Sequence, residues 1–242
     1  MSGSAIVIGV GAVAGLGAAL CRRFASEGLQ VFAAGRAEQK LEVVAGEIAR
    51  AGGSAVPVAM DATVEDEVIR LFDTVEDRGG APEIVVYNAG NNEFRPLLEM
   101  DAKFWEDLWR LCCFGGFLAG REAARRMLPQ GCGTLIFSGA TASLRARPPF
   151  TAFASAKAAL RALAHGMARE FGPQGLHVGH VIIDGVIDGD RVNERFPQLK
   201  ERRGEDGMLS PDAIAAVYWD LHRQERTAWT LELDLRPYKE SF

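Results

Sequence analysis

Four places in this 242-residue chain hold residues whose type and spacing could do chemistry. The first is Gly9-Val10-Gly11-Ala12-Val13-Ala14-Gly15-Leu16-Gly17, which follows an apolar, strand-like run and precedes an amphipathic stretch. Glycine at a strand-to-helix turn permits positive φ and lets backbone amides approach a pyrophosphate, which then rests on the helix N-terminus. In that context Gly11, Gly15 and Gly17 are candidates for dinucleotide binding, with a plain glycine-rich turn as the alternative. The second is Arg36, which stands nineteen residues after Gly17, where the second strand-like run ends. A NAD-selective site places a carboxylate there for the ribose 2′-hydroxyl, whereas a guanidinium suits a 2′-phosphate. Arg36 therefore predicts NADP(H) in preference to NAD(H), which stays possible; a solvated arginine is the alternative. The third is Asp184, at the end of the sixth strand-like run, where an open α/β sheet presents its ligand crevice. It is an acid/base candidate, with an Asx-type turn residue bonding its own backbone as the slightly favoured alternative. The fourth is a helix segment, Phe153-Ala154-Ser155-Ala156-Lys157, which sets Lys157 one turn from Phe153 on the same face.

Positioning these residues requires strands that end together. Apolar runs at Ala5–Val10, Gln30–Ala34, Ala55–Ala59, Glu83–Tyr87, Thr134–Ser138, His177–Ile183 and Thr230–Leu235 read as strands. Amphipathic stretches at Gly15–Glu27, Ala37–Ala51, Val64–Arg78, Ala102–Met127, Thr151–Phe171 and Pro211–Gln224 read as helices. Such alternation predicts an α/β fold, a single Rossmann-type, doubly wound, seven-stranded parallel sheet with helices on both faces. All 242 residues are expected to form one domain, with the charged stretch 188–207 as a lid over the crevice.

Composition narrows the function classes. Hydrophobic residues at 48% and charged residues at 24% fit an ordinary globular domain. A net charge of −5 argues against a nucleic-acid surface, which needs a basic patch. Cys21, Cys112, Cys113 and Cys132 have neither metal-ligand spacing nor the density of a disulfide scaffold, so a reducing, cytoplasmic setting and no metal are expected. The uncharged first 21 residues lack the basic start of a signal peptide, and glycines punctuate them, so no membrane segment is expected.

The glycine spacing, Asn88-Ala89-Gly90, and Lys157 in the order they occur resemble the short-chain dehydrogenase/reductase family over nearly the whole chain. The resemblance implies a cofactor-binding set that adds Ala14, Leu16, Asp61, Ala62, Asn88, Ala89, Gly90, Ser138, Lys157, Gly185 and Ile187. Asp61 and Ala62 would meet the adenine, Asn88 to Gly90 the adenine ribose, and Lys157 the nicotinamide ribose hydroxyls. It also implies departures. Phe153 stands where the family has the tyrosine that exchanges a proton with substrate, Ala140 thirteen residues earlier where it has a substrate-binding serine, and Cys112 where an asparagine holds a relay water. Ser138, Thr141 and Ser143 surround Ala140 and could substitute for the missing hydroxyl. Asp184 replaces a proline beside the nicotinamide, and Val10 a threonine in the glycine turn.

Two functions follow from these residues. One is an NADP(H)-dependent oxidoreductase for a small-molecule substrate, with a degenerate or relocated proton donor and Lys157 and Asp184 as its catalytic candidates. The other is a non-catalytic NADP(H)-binding module or redox sensor. The family's interface helices correspond to Ala102–Met127 and Thr151–Phe171, implying a homodimer or homotetramer.

Overall fold

Short apolar runs form the seven strands, Ser4–Ile8 (β1), Gln30–Gly35 (β2), Ser54–Ala59 (β3), Ile84–Tyr87 (β4), Thr134–Ser138 (β5), His177–Ile183 (β6) and Glu232–Leu235 (β7). This computed structural model describes residues 3–240. All strand pairs are parallel, in the order β3-β2-β1-β4-β5-β6-β7. β1, β4, β5 and β6 are buried along their whole length, which is why they read as unbroken apolar runs: helices cover both faces of a parallel sheet. β3 is half exposed and tolerates Pro57 because it lies at the edge, where one side needs no ladder donor.

The main helices are Leu16–Ser26 (α1), Glu38–Arg50 (α2), Glu65–Gly79 (α3), Ala102–Trp109 (α4), Gly115–Met127 (α5) and Thr151–Phe171 (α6). Asp190–Arg195 (α7), Gln198–Arg203 (α8) and Pro211–His222 (α9) complete the set. One core packs α1, α2 and α9 on the sheet through Leu20, Phe24, Leu41, Val44, Ile214 and Tyr218. The other packs α3, α5 and α6 on the opposite face through Leu71, Phe72, Leu118, Met127 and Leu160.

One expectation from the sequence is corrected in detail. The single helix over Ala102–Met127 is interrupted by a π-helical segment at Arg110–Phe114. Its cause is Tyr87 at the end of β4, whose buried hydroxyl donates to the Leu111 carbonyl at 2.6 Å. The helix can pass the ring because Gly115 has no side chain: a Cβ there would lie 2.3 Å from the Tyr87 oxygen. The stretch 188–207 holds two short helices, α7 and α8. Asp188 anchors it by accepting hydrogen bonds from Asn193 at 2.9 Å and pairing with Lys200 at 2.7 Å.

The chain order reverses between β1 and β4, so the loops after these strands diverge and leave a crevice at their C-terminal ends. No helix among the described residues is long and apolar enough to cross a membrane.

Candidate active site

A cleft of about 620 Å³ opens at this reversal point. Its floor is the turn between β1 and α1. Gly9 has φ of +100°, and a Cβ there would lie 2.4 Å from the Ala89 amide nitrogen, so the turns after β1 and β4 meet backbone to backbone. Asn88 locks them together: its side-chain amide donates to the Gly9 carbonyl at 3.2 Å. Gly17 lets α1 approach as closely, because a Cβ there would lie 2.7 Å from the Gly9 carbonyl oxygen. Gly11 faces open space instead, leaving the cleft clear where a pyrophosphate would pass. α1 begins at Gly15 with no side-chain cap and no acidic residue in its first turn, so the first amides of the helix remain for an anion. These features fit a dinucleotide.

The family profile for short chain dehydrogenases matches residues 5–200. The chain belongs to the short-chain dehydrogenase family. It is 39% identical to a crystal structure of a short-chain dehydrogenase from Rhodopseudomonas palustris, with a TM-score of 0.84 over 98% of this chain and 99% of that one. A metagenomic short-chain oxidoreductase in complex with NADP is 26% identical, with a TM-score of 0.82 over 98% of each chain. The chain is also 34% identical over 90% of its length to the uncharacterized oxidoreductase YuxG of Bacillus subtilis (strain 168), of which it spans 31%.

The fold brings most of the sequence candidates to one place. Gly11, Gly15, Leu16, Gly17, Arg36, Asp61, Ala62, Asn88, Ala89, Gly90, Ser138, Lys157, Gly185 and Ile187 all line the cleft. Ala14 does not; its amide donates to the Asp190 carboxylate of α7 at 3.1 Å. Asp61 organises its own turn by accepting from the Thr63 amide and hydroxyl, each at 2.8 Å. Arg36 is exposed at the end of β2 and has no hydrogen-bond or ion-pair partner among the described residues.

Lys157 is buried, and its ammonium donates to the Ser138 carbonyl at 2.8 Å. Burial pushes its pKa down, while the nearby thiols of Cys112 and Cys113 oppose that shift. The Phe153 ring lies 6.0 Å from Nζ, on the same wall of the cleft.

The hydroxyls beside Ala140 are all committed elsewhere. Ser138 bonds the Tyr218 hydroxyl at 2.8 Å within the core, so only its backbone serves the cleft. Ser143 donates to the Ala140 carbonyl at 2.6 Å, and Thr141 donates to Asp184.

Asp184 is not among the cleft-lining residues. Its buried carboxylate takes both Arg145, at 3.3 Å, and Arg236, at 3.0 Å, besides the Thr141 hydroxyl. A carboxylate so surrounded by donors braces the loop after β5 against β6, outside the cleft lining. His180 is packed, with Nδ1 2.9 Å from Glu232 of β7; His177 stacks on Trp229 with ring centroids 4.8 Å apart.

Sequence reading overlooked the loop between β5 and α6, which brings Arg145, Arg147 and Phe150 to the cleft. The available signal was two arginines one residue apart in a proline-marked loop just before the helix that holds Lys157.

Proposed function

We propose that this member of the family is an NADP(H)-dependent oxidoreductase whose proton donor is not the family tyrosine, acting on a small molecule that enters between the β5–α6 loop and α7. The observation that carries the cofactor choice is Arg36, an unneutralised guanidinium at the end of β2. Binding of NADP by the 26% identical metagenomic relative supports it.

Gly11, Gly15, Leu16 and Gly17 would hold the pyrophosphate on the amides of α1. Asp61 and Ala62 would receive the adenine, and Asn88, Ala89 and Gly90 its ribose. Ser138 through its backbone, Lys157, Gly185 and Ile187 would set the nicotinamide end. NADPH supplies a hydride when bound. Lys157 would hold the ribose hydroxyls, and no phenol stands beside it, because residue 153 is phenylalanine. Asp184 serves as a brace and is not carried forward as the acid. The Ala14 amide is held by Asp190 and is not free for the cofactor.

The second reading is an NADP(H)-binding module without turnover. It is favoured by Phe153 together with the three committed hydroxyls of Ser138, Thr141 and Ser143. Four free cysteines accord with a cytoplasmic setting, and a homodimer or homotetramer is the proposed assembly.

Calorimetric titration decides the cofactor. A charge-assisted contact of about 1.5 to 3 kcal/mol predicts NADPH binding at least about tenfold tighter than NADH, with Arg36→Asp reversing the order. Equal affinities in the wild type would overturn the assignment. A carbonyl and alkene substrate screen on the same preparation separates the oxidoreductase from the module.

A further inference from the structure

In a chain of net charge −5, the cleft is cationic. Arg36, Arg145, Arg147, Arg191 and Lys157 line it, against the single carboxylate of Asp61. Two of these arginines are answered by neighbours. Arg145 pairs with Asp184, and Arg191 lies 3.7 Å from Glu93 and bonds Asn91. Arg36 is set aside for the cofactor under the reading above. The Arg147 guanidinium has no hydrogen-bond or ion-pair partner among the described residues, although it too lines the cleft.

Arg36 and Arg147 are set apart across the sheet. Arg36 follows β2 and Arg147 lies on the loop after β5, with β1 and β4 between those strands. Three interstrand spacings amount to about 14 Å. Arg147 therefore stands at the end of the cleft that holds Phe153 and Lys157, and its loop is held from several sides. Arg145 is tied to Asp184, the Arg95 amide donates to the Pro149 carbonyl at 3.1 Å, and the Phe150 amide donates to the Arg147 carbonyl at 2.9 Å. The Phe150 ring packs on Phe94 with centroids 5.4 Å apart. A guanidinium without a counterion, on a held loop and in a cleft that Phe150 and Phe153 also line, is a receptor for an anion carried on an apolar body.

We propose that the substrate is a carbonyl compound bearing a carboxylate, held by Arg147, with its apolar part against Phe150 and Phe153. This rests on the oxidoreductase reading for its carbonyl and on the structure of the loop for its carboxylate. The carboxylate is a handle and is unchanged by turnover. Hydride from NADPH adds to the carbonyl carbon, the C=O π pair moves to oxygen, and that oxygen takes one proton from water, giving a hydroxy acid and NADP⁺.

The test uses 3-benzoylpropionate, phenylglyoxylate and 4-formylbenzoate, each beside its methyl ester, titrated into NADP⁺-saturated protein. At least one acid is expected to bind about tenfold or more tighter than its ester, and Arg147→Gln to abolish that preference while leaving NADPH affinity unchanged. Where turnover is measurable, the same substitution raises KM for the acid alone. Equal binding of acid and ester across all three pairs, or a preference that survives Arg147→Gln, overturns the proposal. If NADPH itself fails to bind, the cofactor reading falls, and the acid and ester comparison on cofactor-free protein still decides the Arg147 site. Arg147 is exposed and unpartnered, so its replacement leaves folding intact.

Discussion

Phe153 and Lys157 pose the sharpest question at the scale of single residues. The lysine is placed as a cofactor-binding lysine should be, buried and one turn from position 153, but the ring beside it has no proton to give. General acid catalysis is worth about 10² to 10⁴ in rate, so its loss slows a reductase without removing hydride transfer. Restoring the hydroxyl with Phe153→Tyr puts a phenol beside the ammonium, which favours the phenolate. Carbonyl reduction is expected to rise at least about tenfold, equivalent to about 1.4 kcal/mol of barrier. Steady-state kinetics on both proteins check this. An unchanged rate with intact NADPH binding would mean that the pocket was rebuilt for other chemistry. Ala140 limits the gain, because Ser138, Thr141 and Ser143 are each bonded elsewhere.

Among the elements, the seam between α6, β6 and β7 stores a response to acid. Arg161 on α6 donates to both oxygens of Glu232 at 2.7 Å, and these bonds hold the carboxyl down at about 2 against the opposing pull of burial. His165 and His180 also reach the same carboxylate, at 3.0 and 2.9 Å. Burial pushes His180 down to about 4, and it lowers His177 and His222 as well. Unfolded histidine takes up a proton near pH 6.5 while the folded side chain stays neutral, so stability falls as pH drops from about 6.5 towards 4. Glu232 contributes stability that is complete above its ordinary value of 4.5 and is lost as pH falls towards about 2. Each group adds at most about 1.4 kcal/mol per pH unit within its own window. Urea midpoints measured from pH 7 to 3 should decline continuously, and His180→Gln should flatten the upper part. A wild-type midpoint constant between pH 6.5 and 4.5 would rule out this account. On α7, Asp190 accepts from the Ala14 amide and so ties the charged segment to the glycine turn.

The whole molecule leaves an apolar face without cover. Trp105, Trp109 and Phe117 are 36%, 39% and 39% exposed along α4 and α5. Contiguous exposed aromatics mark association surfaces, and a two-fold axis would bury the same patch on both copies. Analytical ultracentrifugation is expected to show a closed dimer or tetramer, and Trp109→Glu with Phe117→Glu to shift it to monomer. A monomer at every concentration would refute the assembly.

The sequence by itself determined the alternation of strands and helices, because periodicity and burial on both faces are written into each run. It also determined the glycine turn, the arginine at the end of β2, and the pairing of Phe153 with Lys157, since a turn and a helical repeat are local geometry. The tertiary structure alone decided what the carboxylates and hydroxyls are for. Asp184 looked like an acid at a strand end, yet its partners Arg145 and Arg236 come from elements 39 and 52 residues away. Ser138 turned into the core because Tyr218, 80 residues later, waits there. The π-helical segment arose from a tyrosine 24 residues upstream of the carbonyl it binds. Arg147 acquired meaning only when folding left it in the cleft with no acid to meet. A polar group's role is set by the partners that reach it through space, and those distances are fixed only once the sheet has brought its strand ends together.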